Sequence, residues 1–391
     1  MSTESTNFSL VTAVLPKSTT QVTCESLARE LGAAAMISEA RGTLLHDQWW
    51  KSWVPPISPA KSYLQLLAPD DRVEQVEEVI IKAARLDQQS TGAVFSSPCT
   101  DAVIGDDFDV LSSLAAEGVP VDQRRDQEEL SAIFCILTHS DAERVSKAAI
   151  RAGAHGPVVH YCEGKGLRDR LGWLRITKEH DKEVLVVIAE KEFADDIFDT
   201  MSHVARLDLP GRGFMYRLPI SKGMYNLPSR TSQHHHEASL QQIIHAIDHL
   251  SGHNNWRDQS VYQLPGQGRA VGIGNINKND YMHQRTCLNL FVERESTQKF
   301  SDALLDAGAS GLNVHYARQY DPQAQPGSKF ANMSLEFAVI RCVVEPSLGD
   351  VLADSVRSLT STQNLGNYGL FQIFTPTVAT YVPNKIDYRA A

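Results

Sequence analysis

The segment 152–161, AGAHGPVVHY, returns almost unchanged at 307–316 as AGASGLNVHY, and a weaker copy, LGAAAMISEA, begins at Leu31. Each copy follows an amphipathic helical run and leads into a β-rich run, so one structural unit is used three times. A chain of 391 residues suits two or three domains of about 100–150 residues. The repetition sets the number at three, over 8–104, 130–224 and 286–382. An acidic, mixed connector with room for one short helix fills 105–129. A His- and Gly-rich insert with one helix at 239–250 fills 225–285, and a polar tail expected to wrap a neighbouring unit fills 383–391. The interval from Gly153 to Gly308 is longer than that from Gly32 to Gly153, as the insert requires.

Within the first unit, the apolar run 8–15 reads as a strand stopped by Pro16. A helical pattern through Val22, Leu27 and Leu31 then ends at Gly32, a residue suited to a left-handed cap. Strands follow at 35–39 and 63–67, and Pro69-Asp70-Asp71 opens a helix with Val73, Val76, Val79, Ile80 and Ala83 on one face. A strand at 93–96 closes the unit. The second unit reads strand 132–137, helix 141–152, turn 153–156, strand 158–162, strand 184–189, a helix carrying Phe193, Ile197, Met201 and Val204, and strand 214–218. The third repeats the order over 287–292, 297–307, 313–317, 335–344, 348–359 and 369–374. A βαββαβ unit places both helices on one face of a four-stranded antiparallel sheet, the ferredoxin-like arrangement. Runs 133–137 and 185–188 are apolar at consecutive positions, which implies burial of both sheet faces. The expected fold class is therefore α+β, with three tandem ferredoxin-like domains forming an intrachain pseudo-trimer.

The formal net charge of -10 argues against a nucleic-acid binder, since phosphate neutralisation calls for excess Lys and Arg. No apolar run approaches the roughly 18–20 residues of a membrane-spanning helix. The N-terminal residues place an acid and no base before their short apolar run, unlike a secretory signal, so a cytoplasmic protein is expected. The six cysteines show no CxxC spacing and read as reduced, mostly buried thiols.

Several short stretches resemble the P-II family of trimeric nucleotide-sensing signal-transduction proteins. They are Ser38-Glu39-Ala40-Arg41-Gly42 at the end of a second strand, Ala83-Ala84-Arg85 before Thr91-Gly92, Ala205-Arg206 before Gly211-Arg212-Gly213, and the AGASGLNV turn from Ala307. The resemblance covers the three units and not the insert. It implies a regulatory protein, not an enzyme, that holds an adenine nucleotide in clefts between adjacent domains. Arg41, Gly42, Gly164, Gly166 and Arg318 match the loop base that lines such a cleft. Thr91, Gly92, Gly211, Gly213, Gly366 and Gly369 match its glycine turn, where backbone N–H groups can approach phosphate closely. Departures point to a less charged ligand, such as a monophosphate or cyclic nucleotide. Phe214 stands where a lysine is expected, the basic pair after the last strand is missing, Glu163 replaces arginine and Gln319 replaces glycine. The same glycines, read without a ligand, simply make turns.

The long loops of that family dock on the protein it regulates, a membrane transporter or an enzyme. Here Trp49, Trp50 and Trp53 would form an apolar anchor, and Arg168, Arg170 and Trp173 a contact for an acidic or phosphate-bearing partner. The competing reading packs the tryptophans on the chain's own domains. His245, His249 and His253 recur at i, i+4 and i+8 and could line a metal site, although a solvated or inter-domain histidine face explains them with fewer assumptions. His160 and His315, at equivalent strand positions before Tyr161 and Tyr316, read with those tyrosines as packing residues. Two further readings stand beside the nucleotide sensor: a divalent-metal-responsive ion-tolerance protein on the same trimeric scaffold, and an interaction scaffold with inactive clefts.

Overall fold

The recurring motif marks where a helix must stop and the chain must turn into a strand. Gly32, Gly153 and Gly308 adopt φ of 62°, 104° and 112°, where a side chain is strained. The residue after each, Ala33, Ala154 and Ala309, donates its N–H back to Leu27, Ala149 and Leu304 and is buried against the helix it closes. A small side chain suits that buried contact, and Gly-Ala is common to all three copies while its neighbours vary.

The computed structural model describes residues 7–42, 60–87, 92–106, 108, 130–138, 141–166, 181–226, 281–320, 335–363, 365 and 367–381. The fold is mixed α+β, mostly one antiparallel sheet. The first unit comprises β1 (Phe8–Pro16), α1 (Lys17–Leu31), β2 (Met36–Gly42), β3 (Ala60–Pro69), α2 (Val73–Ala84) and β4 (Gly92–Pro98), followed by a short β5 (Asp101–Ile104). The second comprises β6 (Leu130–Thr138), α3 (Ala142–Arg151), β7 (His155–Gly166), β8 (Asp181–Glu190), α4 (Lys191–Ala205) and β9 (Gly213–Ile220), followed by β10 (Lys222–Asn226). The third comprises β11 (Met282–Glu293), α5 (Thr297–Asp306), β12 (Gly311–Gln319), β13 (Leu335–Val344), α6 (Pro346–Gln363) and β14 (Tyr368–Thr380). The strands lie in the orders β4-β1-β3-β2, β9-β6-β8-β7 and β14-β11-β13-β12, one pattern three times.

Two sets of pairings join these sheets in a ring. The second strands meet end to end: β2 pairs β7 through Arg41 and Val159, β7 pairs β12 through Gly164 and Asn313, and β12 pairs β2 through Arg318 and Ile37. The opposite edges are covered by strands from other units: β10 lies on β4, β5 on β14, and the end of β14 on β9. Edge strands offer unpaired N–H and C=O groups, and here each such edge receives a partner from elsewhere in the chain. Four expectations are corrected by these contacts. The first unit gains strand β5 after the strand expected to close it, and β10 takes up Tyr225 and Asn226, the expected start of the insert. Strand β7 runs on to Gly166, into the polar loop expected after Cys162, and β14 continues to Thr380 rather than ending at Phe374. These are short polar segments whose strand character comes from a partner far away in sequence.

Alternation along each strand divides the core. In β1, Leu10 and Val14 face a central cluster shared with Phe134, Tyr216, Phe291 and Phe371, while Val11, Ala13 and Leu15 face the helices of their own unit. The other two units have their own helix-side clusters, so the sheets are covered on both faces. None of the six cysteines is in a disulfide. Burial pushes the Cys24 thiol up to about 12 and Cys287 up to about 11, so neither is a thiolate near neutral pH.

Beneath the covered edge of the first sheet, α2 buries Glu77. Burial raises its carboxyl from 4.5 to about 7, outweighing the opposing effects of Ser96 and Lys222. The folded chain thus retains a proton that the unfolded chain loses above pH 4.5, and its contribution to stability declines as pH rises from there through about 7. Glu77→Gln should therefore stabilise the protein at pH 8 by about 2–3 kcal/mol and change little at pH 4, as read by urea unfolding at the two values.

Candidate functional site

The ring of second strands carries each loop base onto a neighbouring unit. At the first junction, the Arg41 guanidinium donates from Nη2 to Glu183 Oε1 at 2.6 Å, and its centre lies 6.0 Å from the Tyr161 ring. Glu183 is 1% exposed. It pairs in register with Leu137, and Leu137 with Gly213, so one row of the second sheet runs from Arg41's partner to the glycine turn. Gly42, beside Val158, belongs to the same junction. Arg41 also helps hold the Glu143 carboxyl below its ordinary value, after the larger effect of Lys147. Beyond the turn, Arg212 lies 3.7 Å from Asp141. The junction brings Arg41 and Arg212 together with the carboxylates of Glu183, Glu143 and Asp141.

The second junction is built differently. Gly164 and Gly166 pair with Asn313 and Gly311, and Glu163 occupies the place of Arg41. The Tyr316 hydroxyl donates to Glu163 at 3.2 Å, Arg294 stacks over the Tyr316 ring at 4.6 Å, and Lys165 donates to Gln298 at 3.0 Å. At the third junction, Arg318 pairs with Ile37 and Gln319 with Met36. Lys17, with a smaller contribution from Arg318, holds the Glu39 carboxyl below its ordinary value. Thus the three junctions carry an arginine, a glutamate and an arginine at the equivalent place.

The turn glycines are constrained by the sheet itself. A Cβ on Gly92 would lie 2.0 Å from the Val14 carbonyl oxygen, and one on Gly213 would lie 1.9 Å from that of Ile136, with Gly213 at φ +121°. Gly211, at φ 79°, makes the turn before it. The residue in register with these glycines in the third unit is Tyr368, opposite Val292. Gly369 stands one position further along, against the Phe108 ring, so its match to the turn is displaced by one residue. Arg85 and Arg206, part of the resembling stretches, are the left-handed caps of α2 and α4. Tyr161 is 54% exposed in the first junction rather than packed inside, whereas His160 and His315 are buried with ring centroids 5.0 Å apart.

Glu183, Glu143 and Arg294 had not been singled out from sequence. Glu183 merely precedes an apolar run, and its role depends on which unit lies next to it. Thr91, Gly366, the tryptophans at 49, 50 and 53, Arg168, Arg170, Trp173, His245, His249 and His253 lie outside the described residues. Among the described residues no group of His, Cys, Asp and Glu is placed to hold a metal, and no helix is long and apolar enough to cross a membrane.

No family model matches the sequence, and no curated protein matches it. Among solved structures, the chain is similar to the Arabidopsis thaliana PII protein bound to citrate, at 22% identity and a TM-score of 0.21. The match covers 25% of this chain and 82% of that one.

Proposed function

We propose that the chain is a cytoplasmic P-II-like regulatory protein, not an enzyme, whose three ferredoxin-like domains form an intrachain pseudo-trimer over 8–104, 130–224 and 286–382. It takes a small ligand between neighbouring domains and signals to a protein partner through its long loops. The observation that carries this reading is the ion pair from Arg41, at the base of one unit's loop, to Glu183 in the row that ends at the next unit's Gly213. Such a pair gives a ligand two states to choose between. A phosphate that takes Arg41 from Glu183 shifts the strand end leading into the segment with Trp49, Trp50 and Trp53, and the difference in ligand affinity between the two states sets the coupling.

The charges favour AMP or a cyclic nucleotide over ATP. Arg41 is already engaged by Glu183, and the nearby Glu143 and Asp141 already hold Lys147, Arg144 and Arg212, so a triphosphate finds no unpaired cation among these groups to match its charge. Calorimetry of the full chain with ATP, ADP, AMP and cyclic AMP tests this. Binding of AMP or cyclic AMP is expected, and Arg41→Ala should weaken it by about tenfold or more through loss of a charge-assisted contact. Heat with zinc or copper and none with nucleotides would favour the metal-responsive alternative. Silence in both titrations would leave an interaction scaffold. Light scattering should give a monomer near 43.2 kDa, as one chain supplies all three domains.

A further inference from the structure

Where the three sheets face one another, the core is not uniformly apolar. Register places Gln65, Val186 and Arg341 at equivalent positions on β3, β8 and β13, opposite Thr12, Phe134 and Asn289. In the first unit Gln65 donates to Thr12 at 3.4 Å, and in the second Val186 meets Phe134. The third unit puts a cation there. Arg341 is 4% exposed; its Nε donates to Asn289 at 2.6 Å, its Nη1 donates to the Tyr216 hydroxyl at 3.2 Å, and its guanidinium lies 5.2 Å from the Phe134 ring centre. Its Nη2 has no well-aligned hydrogen-bond partner among the described residues.

The groups around it are incompletely paired as well, the Gln65 Oε1 acceptor among them. Tyr63, from the first unit, is fully buried beside Thr12 and Arg341, and its hydroxyl makes no well-aligned hydrogen bond among the described residues. His160, from the second unit, stacks on Tyr63 with centroids 4.8 Å apart, is 1% exposed, and has no well-aligned partner for either ring nitrogen among the described residues. The Arg341 charge acts on Tyr63, His160 and His315 alike. An arginine stays protonated throughout the accessible pH range, while burial keeps Tyr63, Tyr216 and Cys287 neutral. One positive charge is therefore enclosed by neutral groups, most of them with hydrogens to donate. Removing such a charge from water costs several kcal/mol, and an amide oxygen, a phenol and a ring face offset only part of that.

We propose that this centre binds one small inorganic anion of halide type, chloride in the cell, held by Arg341 Nη2–H, the Tyr63 hydroxyl and a ring N–H of His160. Each of the three units then supplies one donor, and the ion fastens them at their common centre. A water molecule would accept from two of these donors but leave the guanidinium uncompensated. The site is separate from the junction clefts and does not depend on what they bind.

The test uses the full chain, refolded from urea at pH 7.5 in gluconate, chloride or bromide at equal ionic strength so that the buried centre equilibrates. Melting temperature should rise saturably with chloride and with bromide and stay flat in gluconate. Arg341→Met, which keeps the volume and removes the charge, should melt at the same temperature in all three salts. Tyr63→Phe should retain the response with halide affinity reduced by about tenfold, the effect of one lost donor. Bromide anomalous scattering from crystals grown in bromide should place one ion beside Arg341. Equal melting temperatures of the unaltered protein in gluconate and halide would overturn the proposal, as would a halide response retained in Arg341→Met. Should Arg341→Met fail to fold, the bromide position and the Tyr63→Phe titration still decide, and a water without bromide at the centre counts against the ion.

Discussion

Acidification should unfold this protein at unusually mild pH, because two imidazoles must remain neutral in its core. Burial, reinforced by the Arg341 charge, lowers His160 from 6.5 to about 3. Burial, then His160 and Arg341, lowers His315 well below 6.5. For a base whose folded pKa is depressed, the unfolded chain binds the extra proton, so stability is lost as pH falls from about 6.5 toward the folded value. The loss is about 1.4 kcal/mol per pH unit for each group, so His160 alone removes roughly 2–3 kcal/mol by pH 4.5, and His315 acts in the same direction. Glu77 opposes this between 4.5 and about 7, which makes comparison with a variant the clean measurement. In His160→Phe, which preserves a ring against Tyr63, urea unfolding between pH 4 and 7.5 should show the uptake of nearly one proton fewer below pH 6. An unchanged pH slope would mean that His160 is solvated and protonated like an ordinary histidine.

Gly213→Ala should lower stability by about 3–5 kcal/mol, far above the usual effect of a glycine change at a permissive site. The added Cβ would stand 1.9 Å from the Ile136 carbonyl oxygen at φ +121°, so the start of β9 must leave β6 or distort. Gly92→Ala meets the same obstacle, 2.0 Å from the Val14 oxygen across β4 and β1. Thermal unfolding of both variants, alongside nucleotide calorimetry, separates two reasons for a glycine. Large destabilisation identifies close packing of the sheet as its reason. Normal stability with lost nucleotide binding would instead identify ligand approach. The two reasons coexist if both properties fall, and refolded Gly213→Ala bound to a stabilising excess of ligand would then regain part of its melting temperature.

Much of the order of elements was legible because it depends on local chemistry. Apolar alternation, a proline stop such as Pro16 and a left-handed glycine after a helix such as Gly153 are properties of a few consecutive residues. The consecutive apolar positions in 133–137 and 185–188 likewise told that both faces of a sheet are covered, and the central and helix-side clusters account for them. Three kinds of feature were not legible. Strand β10 looked like the polar start of an insert, since its pairing with β4 joins residues that are far apart in the chain. Gly369 looked equivalent to Gly213, but the pairing of Tyr368 with Val292 sets the register one residue away. Glu183 looked like the edge of an apolar run until Arg41 of another unit was found beside it.

The sequence by itself determined a threefold reuse of one unit, the sites where its helices end, and the identical placement of His160 and His315 within it. Only the tertiary structure decided what those copies do to one another. It set the ring of paired strand ends, the difference among Arg41, Glu163 and Arg318 at the three junctions, and the gathering of Arg341, Tyr63 and His160 at the centre. The reason is physical: duplication copies a pattern of local preferences, whereas charge neutralisation and hydrogen bonding depend on distance in space. A residue such as Arg341 reads as one more position in a strand until the neutral groups that enclose it are known.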